Sequence, residues 1–496
     1  MAHRRLSQRV VVPIMSVATV FIVIVDGAIT TVALPAIGGQ FHLAPSGLDG
    51  VVVVYPVCVG MAVPASAWLG ERLGGKRLLL FSMGLFALSS ALCGAAGSLG
   101  ELVLFRALQG LAGGMLTPVA SALLFRTFSA RERVRASRVM IIPQQIAPAL
   151  APILGGVLVD GLSWRWVFYV NLPFGLLAVL FGWYFLDEHR LDEHRLDARP
   201  NARGSGASRA PRFDLPGLLL SAAGLASLTY GVCAGAQRGW TSPEILTALV
   251  AGTVLLAATV WVELRTAEPI LRLRLFHDRL FRDTNLINLV GLVPILGAMF
   301  LGPLFLQEAL GVSALDSGTS TFTEAFGVLL TVQVVGVLYA RVGPRVIIGT
   351  GLLGVAAVLV LLSTCDLHTS LWTFRLYMFL LGIAMGGVFM PTTVASLSTV
   401  ARADVSQAST LNTVVRQTSS ALAPAVVTTL LMTGEAVGAA GRSGPPVSTY
   451  QDTYLVLAAI ALASSVFAFT LRDGAARRAA SYGIPQPSEA EAAPVG

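Results

Sequence analysis

Fourteen apolar stretches, each long enough to cross a bilayer, follow one another through almost the whole chain. A spanning helix needs about 20 predominantly apolar residues. The first stretch is Val11–Leu34 and the last is Thr453–Leu471. That pattern excludes soluble folds. Composition agrees, with 55% of residues hydrophobic and 12% charged, against about 25% charged in a soluble domain. A membrane barrel would show alternating segments of about 10 residues. The stretches here are instead continuous runs rich in Val, Leu, Ala and Gly. The expected fold is an all-α polytopic membrane protein with 14 transmembrane helices.

The net charge of +7 invites a nucleic-acid reading, but its distribution gives another. An even number of spans puts both termini on one side. If that side is the cytoplasm, 28 of the 34 Lys and Arg lie on inner segments, 4 lie on outer ones, and Arg106 and Arg416 lie inside spans. This is the positive-inside asymmetry. The basic balance is therefore a topology signal, and no nucleic-acid partner is expected. The expected location is the bacterial inner membrane, with both termini cytoplasmic. Arg4, Arg5 and Arg9 precede an apolar run as in a signal peptide. That run is too long, contains Asp26 and is followed by no small-residue cleavage site, so the first helix is expected to be retained. Cys58, Cys93, Cys233 and Cys365 lie far apart, and their spacing predicts neither a disulfide framework nor a metal site.

The chain repeats itself at long range. Ala67–Lys76, between spans 2 and 3, returns as Gly336–Arg345, between spans 10 and 11, with small, Leu, Arg, Gly and basic residues coinciding. Phe105-Arg106 returns as Phe374-Arg375, and Ala149–Pro152 as Ala421–Pro424. Three coincidences in order predict two six-helix bundles related by a parallel repeat. The expected division is an N-terminal bundle over 1–186, a cytoplasmic linker over 187–213, an inserted pair of helices over 214–264, a cytoplasmic loop over 265–284, a C-terminal bundle over 285–472 and a disordered tail over 473–496. The linker holds a duplicated Leu-Asp-Glu-His-Arg pentad, read as a solvated charged extension because nothing fixes a coordination geometry.

Several of these segments resemble those of the major facilitator superfamily, in particular its fourteen-helix drug:proton antiporters. Asp26–Pro35 resembles the first-helix motif, Ala67–Arg77 the inter-helix loop motif, Arg106–Gly113 the fourth-helix motif and Ala147–Gly156 the fifth-helix motif of exporters. Trp164–Gly175 and Phe213–Gly217 are similar to segments of the fourteen-helix subgroup. There are departures: Glu71 replaces the usual Asp, Gly75 the usual Arg, Ala147 and Ala151 replace glycines, and span 13 carries no acid. The resemblance implies the major facilitator fold and a secondary active transporter rather than an enzyme. It also implies a charge latch at Glu71, Arg72, Gly74 and Lys76 that docks the two halves. In span 5, Pro148 and Pro152 each remove a helix hydrogen bond, while Gly155 and Gly156 permit close approach. The resemblance turns that kinked, small-faced helix into a rocking surface; a purely structural kink is the alternative.

A charge at the centre of a membrane helix costs about 2.5–3.5 kcal/mol, so those inside spans need a partner or a task. Asp26 sits about 12 Å below the outer end of span 1 and Arg106 about 6–8 Å into span 4. Pairing is geometrically possible. A carboxylate held ionised by a switchable arginine, and able to take a proton when that contact is lost, is what proton coupling needs. The alternative is an outer hydrogen-bond network that Asp26 merely caps. Glu324, early in span 10, is either a second proton site or a rim residue. Arg416 and Gln417 lie about 10 Å into span 13. Arg416 keeps its proton and is a counter-ion, a gate partner, an anion contact or a snorkelling arginine. Gln109 joins Arg416 and Gln417 as a candidate substrate or gate residue. Phe21, Tyr55, Phe300, Phe305, Phe322, Phe326 and Phe389 are candidates to line an apolar cavity.

No phosphate-binding Gly-x-x-x-x-Gly-Lys-Ser/Thr loop is present. The expected driver is the proton-motive force, without a cofactor. The expected function is efflux of amphipathic small molecules by antiport with protons and alternating access, by a monomer in the bilayer. The alternatives are a dedicated exporter of one self-made metabolite, an importer or uniporter, and a transport-dead sensor.

Overall fold

The computed structural model describes residues 7–41, 49–128, 132, 147, 150, 151, 154–159, 161–187, 214–266, 271–401, 404–438, 446–472 and 474. Their elements are helices. In the first half these are α1 (Gln8–Phe41), α2 (Asp49–Leu73), α3 (Gly75–Ala95), α4 (Leu99–Thr127), a helical piece of the expected fifth span, α5 (154–159), and α6 (Asn171–Phe185). Next come α7 (Leu215–Arg238) and α8 (Pro243–Arg265). The last six are α9 (Arg279–Leu304), α10 (Thr323–Val342), α11 (Pro344–Leu362), α12 (Leu371–Ser398), α13 (Val405–Gly438) and α14 (Val447–Ala468). Among the described residues, 12 helices are long and apolar enough to cross a membrane. α13 is not one of these, and its first half carries buried Ser406, Gln407, Ser409, Thr410 and Asn412. Most of the expected linker and tail lie outside the described residues, as do Pro148 and Pro152.

The internal repeat is visible in the packing. α4 packs on α1, α2 and α3, and α6 closes the bundle against α1 and α3. In the second half α12 packs on α9, α10 and α11, and α14 closes against α9 and α11. The same device brings the central helices together in each half. A Cβ on Gly110 would fall 2.6 Å from the Tyr55 carbonyl, and one on Gly114 would overlap the Val59 carbonyl. In α12, Gly382 likewise lies against the Glu324 backbone, and a Cβ on Gly386 would meet Thr331 Cβ at 2.7 Å. Two glycines four residues apart thus let backbone meet backbone, as membrane helices use small residues to do. The α2–α3 and α10–α11 turns match as well: Gly74 (φ 90°) and Gly343 (φ 89°) both take a left-handed conformation that side chains avoid.

The inserted hairpin is held by motif residues. Asp214 caps α7 by accepting from the Gly217 amide at 2.9 Å. α7 packs against both α2 and α13, so it bridges the two bundles, while α8 packs chiefly on α7. The outer faces of α6, α8 and α12 expose Trp183, Trp261 and Trp372, which suits a lipid-facing perimeter.

The start of α1 lies beside the end of α6, where Gln8 donates to the Phe185 carbonyl at 2.8 Å. At this face, called the terminal face below, the bundles are docked. Phe125 and Trp68 of the first half share a core with Phe281, Leu397, Val405 and Leu411 of the second. Ser66 and Thr410 are hydrogen bonded across the seam at 3.2 Å. Among the described residues no apolar core joins the two bundles directly at the far face.

Candidate functional site

The first-half bundle is cut by a polar layer. Asp26 on α1 and Arg106 on α4 are 0% and 2% exposed, and Arg106 Nη1 lies 2.7 Å from Asp26 Oδ2. The other carboxylate oxygen accepts from Gln109 Nε2 at 2.8 Å and from Asn171 Nδ2 at 2.7 Å. Gln109 Oε1 accepts a second bond from Arg106 Nη1 at 2.8 Å. Asn171 Nδ2 also reaches Ser90 Oγ at 3.0 Å, and Ser90 donates to the Phe168 carbonyl. The guanidinium carbon sits 4.3 Å from the centre of the Tyr55 ring and 5.8 Å from that of Phe168. A buried ion pair needs good geometry and further hydrogen bonds to offset its desolvation. Helices α1, α3, α4 and α6 supply them here.

A separate cavity of about 410 Å³ lies between the bundles. Its walls come from α1 (Val20, Ile24), α2 (Val59, Val63), α4 (Gly113, Thr117, Ser121), α9 (Asn288, Leu292), α12 (Phe389, Thr393) and α13 (Asn412, Arg416, Gln417). Its floor toward the terminal face is Phe125 and Leu397, both members of the docking core. Arg416 lies over the Phe389 ring at 5.6 Å. The walls are mostly apolar with a few convergent polar groups, the usual make-up of a small-molecule site.

The structure thus brings Asp26 and Arg106 together and places Arg416 and Gln417 on the cavity. Gln109, expected with the substrate gate, is fully buried in the Asp26 network instead and is not among the cavity walls. It sits three residues from Arg106 on the same helix face, a spacing that was readable. Asn171 and Ser90 were not singled out for the network; Asn171 stands in the Trp164–Gly175 segment. Glu324 is 7% exposed in the first turn of α10, beneath Gly382, and makes no hydrogen bond or ion pair among the described residues. Of the aromatic candidates only Phe389 lines the cavity. Tyr55 underlies Arg106, Phe305 belongs to the second-half core, and Phe300 and Phe326 are exposed.

At the loop motif, Arg72 is exposed and lies over the Trp68 ring at 5.2 Å. Lys76 ties the start of α3 to the end of α6 by donating to the Trp183 carbonyl at 3.2 Å and to the Leu186 carbonyl. Gly74 makes the turn, and the Glu71 side chain lies outside the described residues. On α5, Gly155 faces α1, where a Cβ would meet Val32 Cβ at 3.0 Å, whereas Gly156 faces open space.

The Major Facilitator Superfamily profile matches residues 17–301 and 285–492. The chain is 30% identical over 413 residues to a multidrug resistance protein B homolog of Mycobacterium tuberculosis, covering 82% of this chain and 73% of that protein. It is 31% identical over 380 residues to the multidrug transporter protein MdtP of Bacillus subtilis, with 76% and 67% covered. It is 29% identical over 428 residues to the multidrug export protein EmrB of Haemophilus influenzae, with 85% and 80% covered. Its fold is similar to that of the human organic anion transporter MFSD10 and of the proton:xylose symporter XylE, each with a TM-score of 0.61 at 14% identity. These matches cover 92% and 93% of this chain and 99% and 95% of those chains respectively. Fold, internal repeat and sequence relatives agree: the chain belongs to the major facilitator superfamily and is a multi-pass membrane transporter.

Proposed function

We propose that the protein exports amphipathic small molecules, drugs among them, across the bacterial inner membrane in exchange for protons. The observation that carries this reading is the ion pair between Asp26 and Arg106, buried inside the first-half bundle with both carboxylate oxygens hydrogen bonded. Removing one partner of such a pair leaves an uncompensated charge. Protonation of Asp26 is therefore coupled to separation from Arg106, and that separation loosens α1 from α4. Protons taken up from the far side then drive the change of state; no cofactor is needed. The terminal face is the cytoplasmic one in this reading, and the docked bundles are the state closed to the cytoplasm. The multidrug names of the sequence relatives support export as the direction. The transporter works as a monomer, with the bilayer, protons and the substrate as its partners. Arg72, Glu71, Gly74 and Lys76 stabilise the cytoplasm-closed state, and the fifth helix, with Pro148, Pro152, Gly155 and Gly156, provides the rocking surface.

Asp26→Asn mimics the protonated carboxyl. The variant is expected to bind substrate yet fail to pump it against a gradient in proteoliposomes with an imposed pH difference, and to lose substrate-induced proton release. Glu324→Gln tests the other buried acid in the same assay. If Asp26→Asn keeps uphill efflux and Glu324→Gln abolishes it, coupling belongs to Glu324. If both keep it, proton antiport is wrong.

A further inference from the structure

Many of the polar side chains that line the cavity are committed elsewhere. The hydroxyls of Thr393 and Thr413 donate to carbonyls one turn back in their own helices, at 3.0 and 2.8 Å, and that of Ser420 does the same at 3.2 Å. Asn412 donates to Ser396 Oγ at 2.9 Å. Arg416 lies over the Phe389 ring and has further contacts of its own. Two amides differ from these. Asn288 on α9 and Gln417 on α13 both line the cavity, and among the described residues neither side chain makes a hydrogen bond. Their polar atoms are not sealed in, unlike the unpaired Ser409 Oγ.

Asn288 is the more telling of the two. The cavity face of α9 reads Asn288, Leu292, Leu296 and Met299, at intervals of one helical turn. That period calls for an apolar residue at 288, and an amide stands there. Asn285, nearly a turn earlier, spends its own amide on the Phe281 carbonyl at 2.8 Å. Asn288 makes no such local bond, although the residue is only 3% exposed. Its backbone is pinned, with Ser419 Oγ of α13 at 2.9 Å from its carbonyl and 3.0 Å from that of Leu289. The amide is therefore held in place by two helices, with both its donor and its acceptor unused.

We propose that Asn288, with Gln417 as the corresponding group on α13, makes this cavity a site for amphipathic substrates carrying an uncharged group that both donates and accepts, a carboxamide or a lactam, while the apolar body packs on Leu292, Leu296 and α1. A carboxamide side chain offers both functions in return. A polar group taken from water into an apolar space is penalised unless the protein supplies a partner, and here the partner stands ready. The proposal rests on the exporter reading for its physiological sense, but its test does not depend on transport.

Two probes of one shape differ at a single position: N-methyl-1-pyrenebutanamide, with an N–H, and methyl 1-pyrenebutyrate, with an ester oxygen in its place. Binding is measured by fluorescence on the purified full-length protein in nanodiscs, without a gradient. The amide is expected to bind about fivefold more tightly than the ester, the factor that one neutral hydrogen bond supports. Asn288→Leu should narrow that preference, and adding Gln417→Leu should reverse it, because the ester is the easier of the two to desolvate. Continued binding of the ester shows that the cavity is intact. Should Asn288→Leu fail to fold, Asn288→Ala removes the same amide and carries the same expectation. An ester that binds wild type as tightly as the amide overturns the proposal, and so does a preference that survives both substitutions. Amide preference without uphill efflux of the amide would sink the exporter reading and leave the site standing. Uphill efflux of both probes without any preference would do the reverse.

Discussion

The two bundles pack alike but are filled differently. The second half has one continuous apolar core running from Leu280 to Leu471. The first half has two, one centred on Met15, Met83 and Leu116 and the other on Ile29, Cys93 and Phe168. The layer of Asp26, Arg106, Gln109, Asn171 and Ser90 separates them. Arg106 and Arg375 follow a Phe at matching places in the repeat, yet their surroundings diverge. Arg106 is buried on a carboxylate. Arg375 is half-buried near the far face, donates to Ser320 Oγ at 3.2 Å and lies over the Trp372 ring at 4.8 Å. One arginine is held inside by four helices and the other rests at the edge. The two halves share a frame, but among the described residues only the first holds a buried ion pair, which is why the coupling chemistry is assigned there.

The comparison breaks most easily at the arginines. Arg106→Met should abolish efflux and lower stability by about 3–5 kcal/mol, since it strands a buried carboxylate. Arg375→Met should cost no more than about 1 kcal/mol. Thermal unfolding of both variants in detergent reads the contrast, and equal losses would show that the two halves are not different in kind. A finer cut is Asn171→Ala, which leaves Asp26 Oδ1 with Gln109 alone. About 1–3 kcal/mol is expected, the cost of a missing bond to a buried charged group, together with lower pumping. Unchanged melting would remove α6 from the network. The smallest effect belongs to the loop motif. Arg72→Ala removes a ring contact of about 0.5–1 kcal/mol on Trp68, so efflux should fall roughly two- to fivefold at unchanged membrane abundance, since Trp68 is part of the docking core. Wild-type flux would reduce Arg72 to a topology signal.

What could be read in the sequence follows from how rare a feature is within its background. A carboxylate or an arginine in an apolar run stands out, so Asp26, Arg106, Glu324 and Arg416 are conspicuous in the sequence whatever their roles. Asn171 did not stand out. An Asn is tolerable at many places in a membrane helix, and its role depends on α6 crossing α1, which no local pattern encodes. Gln109 was visible but misplaced, because the residue type fits a gate as well as a network and only the facing of α4 decides. The aromatics failed for a similar reason: seven were candidates and packing sent all but Phe389 away from the cavity. The glycine pairs Gly110/Gly114 and Gly382/Gly386 describe helix contact and not chemistry.

The wall shared by network and cavity is thin. On α4, Arg106 and Gln109 face Asp26, while Gly113, Gly114 and Thr117, a turn further on, face the open space; on α1, Val20 and Ile24 face it while Asp26 turns away. A lining residue such as Val20, Leu292 or Met299 can therefore be exchanged without touching a single atom that holds the carboxylate. In evolutionary terms, the range of molecules accepted can drift under changing chemical exposure while the machinery that supplies the energy is left as it was.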